Sequence, residues 1–148
     1  MLGFMFAACA ATPTSNPSVV DVTRFLDAWN AAVATRDKTA VRAAYSDSVN
    51  FRWFEDGALR YRSADEVATA LDQFPPGTTI DTRLADIVVL PLDGRQVHVS
   101  ASFRTRIGMP QVAFEFSGVF TAVLERKGAS YAFLAGHTSS VRPASRRN

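Results

Sequence analysis

Cysteine is almost missing from this chain of 148 residues: Cys9 is the only one. No internal disulfide can form, and a metal site built from several thiolates is excluded. Histidine is nearly as scarce, with His98 and His137 alone, and the strand pairing argued below puts the two on opposite faces of the sheet, which does not make a metal site of the usual spacing. The 8 glycines are scattered at turns, so there is no glycine-rich loop to cradle a phosphate. No apolar run is long enough to cross a bilayer as a helix. A basic face is lacking too. The net charge is +2, but Arg142, Arg146 and Arg147 sit in the tail "VRPASRRN", and without them the balance is −1. Nucleic acid is therefore not an expected partner.

What is present is a globular composition, 47% hydrophobic and 20% charged, in a chain of single-domain length. Three segments are expected. Residues 1–17 begin with the apolar run "MLGFMFAACA" and continue into the polar linker "ATPTSNPS". The run looks like the end of a secretory signal. "FAAC" resembles a bacterial lipobox, with Phe6 where leucine is more usual and no basic segment before it. This predicts export to the cell envelope or periplasm with a membrane tether through a lipidated Cys9. The alternative is an apolar start on a cytoplasmic protein. Residues 18–142 form the folded domain, and 143–148 a basic, solvated tail.

Within the domain, Val22, Phe25, Leu26, Trp29 and Val33 recur at helical spacing behind Ser18, a candidate N-cap. A short helix follows Asp37, with Val41, Ala44 and Tyr45 inward. "VNFRWF", "EDG" and "ALRYR" predict a hairpin through Asp56-Gly57. Ser63 and Glu66 are spaced as a capping box for a third helix, which "PPG" ends. Four long segments then alternate in the β manner: "TIDTRLADIVVL", "QVHVSASFRTRI", "QVAFEFSGVFTAVLE" and "SYAFLAGHTSSV". Short turns join them, so an antiparallel meander is expected. Helices first and a long sheet afterwards make an α+β domain, with three helices covering one face of a bent, mostly antiparallel sheet.

The helix "FLDAWNAAVATRD", the link "KTAVRAAYSDSVNF", the "EDG" turn before "SADEVATAL" and the closing strand "YAFLAGHTSS" stand in a telling order. Over about residues 18–142 the chain resembles the nuclear-transport-factor-2-like superfamily, most closely its SnoaL-like branch of small bacterial proteins. The resemblance implies a cone whose curved sheet and helices enclose a pocket, and often a homodimer. It implies no cofactor. Members include isomerases, dehydratases, cyclases and epoxide hydrolases beside many pocket proteins. No catalytic set carries over residue by residue: the first helix offers Trp29 where the steroid isomerases have tyrosine, and an Asp-Arg-Asp arrangement is not recognisable.

Pairing the strands through tight turns places Glu125 opposite Ser130, Gly118 opposite His137, and Ala101 opposite Gly118. Val99, Phe103, Phe116, Phe120, Leu124, Tyr131 and Phe133 then share a core face with His137. Arg104 and Glu115 meet on the other face as an ion pair, and His98 lies there as well. On this register His137 stands in a row with Gly118 and Ala101, whose small side chains leave a hollow, the expected pocket. Asp86 ends that row if Leu90 faces Val97. As an enzyme, the protein would use His137 as general acid or base and Asp86 as proton acceptor or anchor. Trp29, Tyr45, Trp53, Phe103 and Phe116 would wall a small hydrophobic ligand, and Ala101, Gly118 and Ser139 would contact it. The reactions in view are cofactor-free isomerisation, dehydration or cyclisation. As a non-catalytic binding or interaction module, tethered to the envelope, it would use the same residues only to orient a ligand, or His137 would be a bonded core histidine. A serine nucleophile finds no separate base, since Ser139 and Ser140 share a strand with His137.

Overall fold

The computed structural model describes residues 18–141. Cys9 and the arginines of the tail lie outside them. Helix α1 spans Val19–Thr35, and the Ser18 hydroxyl accepts from the Asp21 N–H as its N-cap. Its buried side, Val22, Phe25 and Leu26, follows the helical period. Arg36 ends it in a left-handed conformation with φ 55°. Helix α2, Lys38–Ala43, starts at Asp37, whose carboxylate accepts from the Ala40 N–H. Strands β1, Arg52–Glu55, and β2, Ala58–Tyr61, form the expected hairpin. Asp56 and Gly57 both have positive φ, 49° and 84°, as a two-residue turn of this hand requires. Ser63 caps α3, Ala64–Ala70, and the Glu66 carboxylate reaches back to the Arg62 N–H. A single 3₁₀ turn, Leu71–Gln73, follows.

The four long strands are β3, Thr79–Pro91; β4, Gln96–Met109; β5, Val112–Lys127; and β6, Ser130–Val141. They pair in sequence as an antiparallel meander. The six-stranded order is β2-β1-β6-β5-β4-β3, so the sheet stays open, with β2 and β3 at its edges. Three helices pack against one face of this curved sheet, an α+β cone. One pairing was not expected: β1 runs parallel to β6, with Trp53 opposite Gly136 and Glu55 opposite Thr138. The chain after α2 joins the same place, because Ser46 N–H donates to the Phe133 carbonyl and Phe133 N–H to that of Ala44. That docking carries Tyr45 into the core, where its ring meets Phe51, Trp53 and Phe133 at 5.1–5.8 Å.

Between β4, β5 and β6 the register differs from the expected one in two ways, and between β3 and β4 Leu90 pairs with His98 where Val97 was expected. Both hairpins turn through only two residues, so each pairing shifts by two: Glu125 pairs with Ala132, and Ala101 with Phe120. A shift of two keeps every side chain on its face. The Arg104–Glu115 ion pair accordingly forms on the outer face at 3.6 Å, though as a diagonal contact. The second difference changes faces. Val123 pairs with Ala135 and Leu124 with Phe133, leaving Leu134 as an extra residue. This β-bulge reverses the alternation beyond it. Phe133, Gly136, Thr138 and Ser140 therefore face the helices, and His137 does not.

Candidate functional site

Between the helices and the inner face of the sheet lies a cavity of about 380 Å³, within the range of small-molecule sites. Trp29 and Val33 of α1 close one side, and Val67, Leu71 and Phe74 another. Phe103, Phe116 and Phe120 make the sheet wall. Trp53, Glu55, Arg60 and Tyr61 enter from the β1–β2 hairpin. The hairpin is held there by its turn: Asp56 N–H donates to the Thr138 carbonyl at 2.9 Å, and Asp56 Oδ1 accepts from Ser140 N–H at 2.7 Å.

Five of the expected ligand residues, Trp29, Tyr45, Trp53, Phe103 and Phe116, line this cavity. The others are placed elsewhere. His137 pairs with Thr121 on one side and Phe54 on the other, on the outer face of the sheet. The cause is the Leu134 bulge. Ser139 is turned outward for the same reason, beside Val119, and Ser140 lines the cavity in its stead. Asp86 and Ile87 together oppose Ala101, a second bulge. There Asp86 takes φ 54° and its carboxylate accepts from the Ser102 hydroxyl at 2.7 Å, in solvent. His137 and Asp86 thus do not share a site with the aromatic walls.

The hollow expected beside Gly118 and Ala101 is filled. A Cβ on Gly118 would approach Phe103 Cζ to 2.9 Å and collide with the Ser139 carbonyl oxygen. The glycine seats the Phe103 ring. Ala101 is buried in the core and does not line the cavity.

A family model described as the SnoaL-like domain matches residues 22–143. The chain belongs to this SnoaL-like family. Solved structures carry the same NTF2-like fold at low identity. An NTF2-like protein of unknown function in nutrient uptake from Rhodospirillum rubrum is 18% identical, with TM-score 0.68, over 82% of this chain and 99% of that one. A ketosteroid isomerase-like protein from Erwinia carotovora atroseptica is 15% identical, with TM-score 0.66, over 84% and 97%. A type 2 hexachlorocyclohexane dehydrochlorinase (LinA) is 9% identical, with TM-score 0.70, over 83% and 84%. At these identities the likeness is one of fold. No functionally curated protein matches the sequence.

Two acids on the wall of the SnoaL-like cavity have displaced pKa values. The Tyr45 side chain is buried, and its hydroxyl accepts from Trp29 Nε1 at 3.2 Å. Among the described residues no hydrogen bond uses its own proton. Burial drives its pKa well up, against a smaller opposing effect of the Trp29 hydrogen bond, so the phenol stays a neutral donor. Glu55 is 41% exposed and 3.6 Å from Arg60 Nε. Partial burial raises its pKa, Arg60 pulls the other way, and Asp56 adds to the rise. Neither residue pairs with a histidine. Among the described residues, no three His, Cys, Asp or Glu side chains cluster as metal ligands would, and no helix is long and apolar enough to cross a membrane.

The sequence reading missed Glu55, Thr138 and Ser140. Glu55 was within reach, because "RWFE" alternates and Trp53 had already been assigned inward. Thr138 and Ser140 carried no such signal, since nothing in "FLAGHT" announces a bulge at Leu134.

Proposed function

We propose that the protein binds a small, largely apolar cyclic molecule through one oxygen, in the cavity between the helices and the sheet. The observation that carries this is the buried Tyr45 hydroxyl, a donor without an acceptor among the described residues, on the wall of an aromatic-lined space of about 380 Å³. A carbonyl or hydroxyl oxygen supplies the missing acceptor, and the aromatic rings supply contact area. Both tryptophans of the chain, Trp29 and Trp53, line the cavity, so their fluorescence reports occupancy. Titration with cyclic ketones and alcohols should give a saturable change that weakens about tenfold in Tyr45→Phe, the usual order for one buried hydrogen bond. Saturable binding that is indifferent to Tyr45→Phe would show that this hydroxyl is not the anchor.

Catalysis is a second reading, favoured by the raised pKa of Glu55 on the cavity wall. The Glu55 carboxylate takes a proton from the carbon next to a ligand carbonyl. The electron pair moves onto the carbonyl oxygen, which Tyr45 stabilises as a hydrogen-bond donor, and the proton returns to carbon or is lost to water. Isomerisation, dehydration and cyclisation can all start from this step without a cofactor. Proton-for-deuteron exchange at that carbon, followed by NMR in D₂O, separates the two readings. Exchange abolished by Glu55→Gln supports catalysis, whereas binding without exchange leaves a non-catalytic binding module.

The homodimer is proposed on different grounds. Phe54, Val88, Leu90 and Val119 are exposed on the outer face of the sheet, more apolar surface than isolated side chains would present. A monomeric mass by light scattering at micromolar concentration would exclude it.

A further inference from the structure

The inner face of the sheet has a second polar point, far from Tyr45 and Glu55. On β4 the inward residues run Val97, Val99, Ala101, Phe103, Thr105 and Ile107; on β3 they include Ile80, Thr82 and Leu84. Thr82 and Thr105 are directly paired, and their hydroxyls lie 2.9 Å apart. Both line the cavity, and Thr105 is only 7% exposed. One hydroxyl donates to the other. The second hydroxyl keeps its proton, and among the described residues no acceptor takes it. A cross-strand threonine pair stabilises a sheet anywhere, but here it replaces apolar side chains on a buried wall. Leaving a buried donor unused is costly, so the pair is built to meet something that enters the cavity.

Resting on the cavity reading above, we propose that the Thr82–Thr105 pair is a second anchoring subsite, and that the ligand carries an oxygen at each end of a rigid apolar body. Phe116 and Phe120 separate the threonines from the β1–β6 end, where Glu55 faces Thr138. The threonines lie three strands across the sheet and four residues along it from that end, about 19 Å on a flat sheet, and the curvature of the sheet brings the two nearer. Two linked six-membered rings with terminal oxygens about 10 Å apart are of a size for the one cavity that both ends line. The free threonine proton is donated to a hydroxyl or carbonyl oxygen at the far end, and a ligand hydroxyl can donate in return.

The probes are a matched pair: a cyclohexanone with a phenyl group opposite its carbonyl, and its para-hydroxyphenyl counterpart. Binding to the whole chain is followed by tryptophan-selective fluorescence and calorimetry. The hydroxylated compound is expected to bind about tenfold more tightly than the plain one. In Thr82→Val/Thr105→Val that ratio should fall to about one, and in Thr82→Ser/Thr105→Ser, which keeps both hydroxyls, it should return. A ratio that survives the double valine variant, or a wild-type ratio of one, overturns the subsite while leaving the cavity reading standing. Failure of both compounds to bind the wild type overturns the two together. Should the valine variant not fold, the single Thr105→Val and the serine variant carry the same comparison.

Discussion

The ring of Trp53 lies directly over Gly136, its partner across the parallel β1–β6 pairing. A Cβ on Gly136 would stand 2.6 Å from Trp53 Cε3 and 2.8 Å from Cη2, closer than carbon atoms approach. The flanking elements cannot give way easily, because the Trp53 ring is also packed against Tyr45 and Phe133 at 5.8 and 5.4 Å. Gly136→Ala is therefore expected to cost about 1–3 kcal/mol, the usual penalty for overfilling a packed site. Urea unfolding measures it directly, and an unaltered midpoint would contradict the close approach. Ligand affinity should fall as well, since the wall that Trp53 forms must move.

Tyr45 makes a prediction about alkaline pH. Its phenol is held protonated in the fold by burial, above the value of about 10 that it has in an unfolded chain. A raised folded-state pKa contributes stability that is complete below the unfolded value and is lost as pH climbs past it. The native protein should thus lose stability above pH of about 10 partly through Tyr45. In Tyr45→Phe this alkaline arm should be flatter than in the wild type, while stability at neutral pH falls by about 1 kcal/mol because Trp29 Nε1 loses its acceptor. Unfolding midpoints of the two proteins across the alkaline range decide the matter. Parallel curves would mean that Tyr45 is not protected.

Glu55 acts in the acidic range with the same sign. Its folded-state pKa also lies above the ordinary carboxyl value, first through burial. Stability linked to it is present at low pH and declines as the carboxyl ionises in the fold. Relative to the wild type, Glu55→Gln should become progressively more stable from the ordinary glutamate pKa upward, levelling off once Glu55 is fully ionised. The effect is modest because the side chain is 41% exposed and shares its charge with Arg60. If the cavity is catalytic, its rate rises over that same window and is absent in the variant. A stability difference independent of pH would show that burial does not govern this carboxyl.

The helices and their caps could be read from the sequence because those signals are local. Ser18, Asp37 and Ser63 each bond within three residues. The Asp56-Gly57 turn is local in the same sense. Alternation placed Phe103, Phe116 and Phe120 on the inner face despite a two-residue error in pairing, since even shifts preserve the face. His137 was misplaced because one extra residue, Leu134, lies between it and the last well-marked inward residue, Phe133. The strand "YAFLAGHTSS" alternates with a phase change that composition does not reveal. The parallel pairing that brings Glu55 beside Thr138 joins segments some eighty residues apart, and no spacing rule connects them. Gly118 was noticed correctly as small but read as a void, whereas the structure uses it as a seat for Phe103. Small residues on a buried strand mark either an absence or a neighbour's ring, and only the fold tells which.

Asp86 offers the sharpest test of the second bulge. Its φ of 54° is a conformation that glycine adopts freely and aspartate tolerates. The Ser102 hydroxyl, 2.7 Å from its carboxylate, holds the side chain in place. Replacing it with alanine keeps the left-handed strain and removes the bond, while glycine removes both. Asp86→Ala is expected to be less stable than Asp86→Gly by about 1 kcal/mol, measured by thermal unfolding. Ligand binding should be the same in both, because residue 86 faces solvent and not the cavity. Equal stability of the two variants would mean that the strand is not bulged there, and that Asp86 could turn inward after all.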